Sequence, residues 1–154
     1  MIVVFSNQEQ LFMKSALNLA KESFDHNEVP VGAVVVKDNK IIGTGRNEVI
    51  SDIDVSSHAE MNAIRSASKY IRNYRLNDCT IFVTLEPCHM CAKAIIDARI
   101  SELIFSAKEP KTGSIVSIDK FLDNKSLNHS VSYKFGLYEK ESSNLLKNFF
   151  KARR

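Results

Sequence analysis

From Asn7 to Phe24 apolar and small residues return every three or four positions, with Phe12, Ala16, Leu19, Ala20 and Ser23 on one face. That period predicts an amphipathic first helix. Pro30 to Lys37 is instead a β-branched run (Val31, Val34, Val35, Val36), which predicts a strand. Asp38-Asn39 is a two-residue turn signal, so Lys40 to Asn47 should return as the second strand of a hairpin. A polar loop, Ser51 to Ser57, follows. A second helix is expected from about His58, with Ser57 as N-cap and Glu60 at the capping-box position.

The pattern then alternates. Thr80 to Leu85 reads as a third strand, and Pro87 opens a third helix that runs to about Ala98. Ile100 to Ser106 reads as a fourth strand and Lys108 to Gly113 as a loop. A short helix is expected over Ser117 to Leu122, and a fifth strand over Val131 to Phe135. The last helix, about Tyr138 to Lys151, places Leu145, Leu146, Phe149 and Phe150 on one side. An antiparallel hairpin followed by strand–helix alternation implies a mixed α/β sheet of about five strands with helices on both faces, a three-layer α/β/α arrangement.

Nothing along the chain reads as a linker, repeat or low-complexity stretch, and 154 residues suit one domain, residues 1–154. Apolar residues are 44% and charged residues 25%, an ordinary globular mixture. No apolar run approaches the ~20 residues of a bilayer span. The opening Met1-Ile2-Val3-Val4-Phe5 is short for a signal peptide and has no basic leader, so the expectation is a cytoplasmic protein with no membrane partner. On that expectation the Asn-x-Ser triplets at Asn124 and Asn128 are chance matches.

The net charge of +3 is too weak to imply a nucleic-acid partner. The tail Lys147-Asn148-Phe149-Phe150-Lys151-Ala152-Arg153-Arg154 interleaves basic and aromatic residues, which can meet phosphates and stack on bases. An amphipathic helix with a solvated basic end, suited to the helix dipole, is the plainer reading of the tail alone.

Chemistry concentrates in two places. His58-Ala59-Glu60 opens one expected helix, and Pro87-Cys88-His89-Met90-Cys91 opens another. Cysteines three apart in a first helical turn project from the same face, where the helix N-terminus favours thiolates. Two thiolates suit Zn²⁺, and His58 can add an imidazole. Cys79 sits at the far end of the third strand, roughly 20 Å of extended chain from the pair, and reads as a small buried apolar residue. Three protein ligands, rather than the four of a structural site, would leave room for a water whose pKa falls toward ~7. Glu60 could then carry a proton from that water to the leaving amine, or be no more than a helix cap. Either motif alone is weak. Together they point to hydrolytic removal of an amino group from a nucleobase, since His-x-Glu with Pro-Cys-x-x-Cys is the signature of zinc nucleobase deaminases. His89, between the ligands, reads as a pocket-edge or surface residue, and His26 as exposed.

Beyond that signature the chain resembles the bacterial tRNA-specific adenosine deaminases, within the cytidine/deoxycytidylate deaminase superfamily. The resemblance rests on Glu28-Val29-Pro30-Val31-Gly32-Ala33-Val34, Gly45-Arg46-Asn47, His58-Ala59-Glu60, Asn73-Tyr74-Arg75-Leu76, the run Val83 to Cys91, Lys111-Thr112-Gly113, Asn128-His129 and Phe149-Phe150. It implies a cytidine-deaminase-like fold, one Zn²⁺ per subunit on His58, Cys88 and Cys91, and Glu60 as the catalytic proton shuttle. It implies a homodimer that converts a wobble adenosine to inosine in a tRNA anticodon loop. Asn47 would touch the flipped base, although as a lone residue it is equally a turn former. Pro30, Val31 and Ala59 would lie near the pocket wall. The loop of Glu109 and Lys111, and the last helix with Phe149 and Phe150, would meet the anticodon stem-loop, which moves the tail from the plainer reading to RNA contact. Glu109 stands where the family commonly has Asp, and Arg46 where relatives are often aromatic. Two other readings remain open: a deaminase of free bases or mononucleotides (guanine or cytosine type), and a non-catalytic RNA-binding subunit on the same fold.

Overall fold

The computed structural model describes residues 2–153, so Met1 and Arg154, the ends of the two terminal segments discussed above, lie outside the described residues. The chain runs α1 (Asn7–Asp25), β1 (Gly32–Lys37), β2 (Lys40–Arg46), α2 (Val49–Asp52), α3 (Ala59–Ile71), β3 (Thr80–Leu85), α4 (His89–Asp97), β4 (Glu102–Ala107), a 3-10 turn (Phe121–Asp123), β5 (Ser132–Phe135) and α5 (Glu139–Lys151). The five strands form one sheet in the order β2-β1-β3-β4-β5. β1 pairs antiparallel with both β2 and β3, whereas β3–β4 and β4–β5 are parallel. The expected mixed sheet is therefore present.

Both faces of the sheet are covered, which is why its central strands read as unbroken apolar runs. Ala33, Val35, Ile81, Val83, Leu103 and Phe105 point to one side and pack with Ala63 and Ala67 of α3 and Ile95 and Ile96 of α4. Their neighbours Val34, Val36, Phe82 and Ile104 point to the other side and meet Met13 and Ala16 of α1. α5 lies on that second side, against β4, β3 and α1. Its Ser142 hydroxyl donates to the Thr84 carbonyl.

Local signals fall out unevenly. Asp38 and Asn39 both take positive φ (51° and 59°), as a two-residue hairpin turn demands. The α1 face turned to the core centres on Met13, Ala16, Leu17, Ala20 and Ser23, with Phe12 and Leu19 at its margins. The capping box sits at Ser6 and Glu9, not at Ser57 and Glu60. α3 starts one residue later than expected, with His58 as N-cap and no side-chain cap, because the Ser57 hydroxyl donates to Asp52 instead (2.6 Å). Pro87 lies just outside α4, whose N-cap is Cys88. A short helix, α2, occupies Val49–Asp52 and takes in the start of the expected polar loop. The helix expected over Ser117 to Leu122 is only the 3-10 turn at Phe121–Asp123; the Phe121 N–H goes to the Ser114 carbonyl and the Ile118 N–H to that of Gly113, not to acceptors four residues back.

One packing contact governs where α3 begins. A Cβ on Gly45 would lie 2.3 Å from both the Ala59 carbonyl oxygen and the Ala63 nitrogen, and one on Gly43 would lie 2.5 Å from the Ala67 nitrogen. α3 thus rests backbone to backbone on β2, which only glycine permits. Gly45→Ala should cost about 2 kcal/mol of stability, the usual scale of overpacking in a dense core. A urea-denaturation midpoint unchanged from the parent would refute this close approach.

Candidate metal centre and active site

The carboxyl end of the parallel β3 carries the chain through Glu86 and Pro87 straight into α4. Open α/β sheets generally place ligands at this end. α3 starts at the same end, because β2 hands the chain through α2 to His58 there. Two helix N-termini converge, each a locus of partial positive charge.

His58 Nδ1 lies 3.5 Å from the Cys91 sulfur and 3.8 Å from the Cys88 sulfur. The three ligand atoms all fall within 4.8 Å of one another. A tetrahedral zinc with its usual bond lengths to sulfur and nitrogen would hold such atoms about 3.6 Å apart. The donor set, one imidazole and two sulfurs, fits that ion. Cys88 is the N-cap and Cys91 stands three residues on, so both sulfurs serve the first turn of α4. The Cys88 thiol is held well below its ordinary value by the proton that Cys91 shares with it and by His58, against its burial. Cys91, keeping that proton in a buried position, is pushed up. His58 is raised by its contact with Cys88.

Glu60 stands beside this trio without belonging to it. Only 4% of its surface is exposed, and burial lifts its carboxyl to about 7. Its side chain neighbours Cys91. It forms no reciprocal cap with Ser57, whose hydroxyl goes to Asp52.

A cleft of about 330 Å³ opens over these groups. Val31, Asn47, His58, Ala59, Glu60, Cys88 and Glu109 all line it, and Glu28 and Glu86 belong to its wall as well. The Asn47 side chain is held on both sides: its Nδ2 donates to the Val29 carbonyl and its Oδ1 accepts from Val49 N–H. It is therefore a turn former and a wall residue at once. Pro30 is buried next to Val31 but is not part of the lining. Lys111 is exposed and off the lining, with its N–H donated to Glu109 Oε1.

The two tail phenylalanines part company. Phe149 is 3% exposed and packs edge-on against Phe24, with the Arg153 guanidinium 3.5 Å over its ring. Phe150 is 49% exposed. Neither lines the cleft. His89 is exposed and 2.7 Å from Asp119. His26 is exposed and touches Arg46. Cys79 is fully buried in the core.

Two rim residues went unremarked at the level of sequence. Glu28, 1% exposed, accepts the Ile50 and Ser51 N–H groups and the Ser51 hydroxyl, and so holds α2 on one rim. Glu86, 3% exposed, accepts from the loop of the opposite rim, at Glu109, Ile115, Val116 and Ser117. Their only sequence signal was their place inside Glu28-Val29-Pro30 and Glu86-Pro87-Cys88, with nothing to say what they would bind.

Residues 6–154 match the family described as MafB19-like deaminase. The chain is 43% identical to a tRNA-specific adenosine deaminase of Aquifex aeolicus over 143 residues, 93% of this chain and 94% of that protein. A solved structure from studies of A-to-I editing by tRNA:A34 deaminases at the wobble position superposes with a TM-score of 0.86 at 39% identity, covering 88% of this chain and 99% of that one. A guanine deaminase from Nitrosomonas europaea superposes with a TM-score of 0.78 over 96% of this chain and 86% of that one, but at 19% identity it shares the fold alone.

Glu28 also gives a pH test. Burial acts to raise its carboxyl, but donation from Ser51 and Ile50 and the charge of Arg46 outweigh it and hold the group below its ordinary 4.5. A depressed carboxyl stabilises the fold above the unfolded value, and that stability is lost as pH falls through the folded one. Glu28→Gln should therefore be less stable than the parent at neutral pH, and the gap in denaturation midpoints should close as the pH falls below 4.5. A gap that stays constant down to acid pH would show that the charge contributes nothing.

Proposed function

The chain belongs to the MafB19-like deaminase family, and from that membership we propose that it hydrolyses adenosine to inosine at the wobble position of a tRNA anticodon loop. The observation that carries the chemistry is a cluster of three ligands, His58, Cys88 and Cys91, with the buried Glu60 beside it and not in it. Three ligands leave a coordination position for water. The substrate follows from relatives such as the Aquifex protein.

His58 Nδ1 and the two sulfurs would hold one zinc per subunit. When bound, zinc makes water nucleophilic near neutral pH. With such a water beside it, Glu60 would accept one proton and pass it to the purine ring nitrogen, then carry the second proton, from the added hydroxyl, to the departing amine, so that adenosine and water give inosine and ammonia. A carboxyl lifted to about 7 can both accept and release a proton at that pH. The walls of Val31, Leu85 and Asn47 receive a base turned out of its stack, which a single-stranded loop offers without melting a duplex. Lys111 and the exposed Phe150 are assigned to the stem-loop, while Phe149 is assigned to packing. On the family likeness the working unit is a homodimer in the cytoplasm. Among the described residues no helix is long and apolar enough to cross a membrane.

Incubation with a tRNA panel, followed by sequencing for A-to-G changes, tests the reading. Ammonia release from guanine, cytosine or their nucleosides with tRNA left unedited would replace it with the small-molecule reading. Zinc bound together with tRNA but no turnover of any substrate would replace it with a non-catalytic subunit. Glu60→Ala should retain one zinc per chain by elemental analysis and lose about 10³-fold in turnover. Cys88→Ala should lose both zinc and turnover. An active Glu60→Ala enzyme would remove the proton-carrying role.

A further inference from the structure

The loop from Glu109 to Ser117 contributes Glu109 and Thr112 to the cleft wall, yet it is neither helix nor strand. Its backbone N–H groups need acceptors from elsewhere. Four of them find one side chain. Glu86 Oε1 accepts from Glu109 N–H (3.0 Å) and from the Ser117 hydroxyl. Oε2 accepts from the N–H groups of Ile115, Val116 and Ser117 at 3.0, 2.8 and 3.0 Å. The approach is close enough that a Cβ on Gly113 would fall 2.3 Å from the Glu86 carboxyl carbon. Ser114 adds a tie to the Pro87 carbonyl through both its N–H and its hydroxyl.

Every acceptor position of Glu86 is thus taken up within the fold, although the residue lines the cleft. We propose that Glu86 is a positioning residue: its buried carboxylate moulds the Glu109–Ser117 loop into the cleft wall and thereby sets affinity for the RNA substrate, without touching the reacting base. This rests on the functional reading above and adds a residue to it. No neutral side chain can serve five donors at once. A glutamine would keep its oxygen on the three Oε2 donors and let the Ser117 hydroxyl turn to accept, but would aim an NH₂ at the Glu109 N–H.

The test uses zinc-loaded enzyme, an anticodon stem-loop as substrate, and hydrogen–deuterium exchange on the same samples. Glu86→Gln should raise KM about tenfold, the scale of one lost charge-assisted hydrogen bond. Its kcat should stay close to the parent's and its zinc at one per chain, while exchange accelerates across residues 109–117. Gly113→Ala should do the same by pushing the carboxylate away. If Glu86→Gln does not fold, Ser117→Ala, which removes one side-chain donor and leaves the carboxylate buried, should raise KM in the same direction by a smaller factor. A merely structural role would lower the melting temperature and the active fraction but leave KM and local exchange alone, and that result would overturn the proposal. So would loss of zinc from Glu86→Gln, or a fall in kcat at constant KM. A parent enzyme that edits no RNA would instead sink the functional reading and the affinity half of this one. The exchange measurement needs no turnover, so it would still decide whether Glu86 holds the loop.

Discussion

His58 comes from one helix start and the cysteines from another, thirty residues on in the chain, and the distance between those starts depends on how closely α3 lies against β2. Side chains on both surfaces would hold a helix away from a sheet. Here Gly43 and Gly45 remove them on the sheet side, and Ala63 and Ala67 reduce them on the helix side. The backbone of α3 therefore sits in contact with β2, and its N-cap comes within reach of α4. The distance from His58 to the cysteine pair depends on that approach, whereas the spacing within the pair is set by α4 itself.

The sequence signals that survive folding are those whose partners are near in the chain. The hairpin turn at Asp38-Asn39, the two-sided apolar strands and the first-turn cysteine pair are local, and each appears where its pattern placed it. The pattern Ser-x-x-Glu shows where this logic stops. Ahead of a helix it occurs twice, at Ser6–Glu9 and at Ser57–Glu60. The first copy closes as a reciprocal cap at an exposed helix end. The second does not: Ser57 donates to Asp52, accepts from Asn62, and leaves Glu60 to the cleft. Local pattern alone could not separate the two copies, since only the surroundings supply the competing partner. For Glu60 the reciprocal cap with Ser57 is not formed, and the side chain lines the cleft.

What stayed hidden is of one kind. Glu28 and Glu86 bind backbone amides, and an amide acceptor site leaves no mark on the identity of the residues that donate. The missing helix after Ser117 is equally non-local in cause, since the Phe121 N–H is taken by the Ser114 carbonyl, seven residues back. The tail shows the opposite failure. Phe149 and Phe150 look alike in sequence, but one step along α5 puts the first against Phe24 and Arg153 and leaves the second to solvent.

Three buried glutamates stand around one cleft, and their hydrogen-bond partners set them apart. In each of them burial favours the neutral acid. Glu28 and Glu86 receive enough N–H and hydroxyl donors to reverse that effect and stay ionised below the ordinary carboxylate value. Glu60 receives too few, and rises to about 7. A carboxylate whose lone pairs are all engaged cannot give up its geometry, so it suits the holding of a loop. One left short of donors exchanges a proton readily near neutrality, and it is also the one turned toward the His58–Cys88–Cys91 cluster. Residue type is constant across the three. The number of backbone amides within reach separates the two carboxylates held below the ordinary value from the one raised above it.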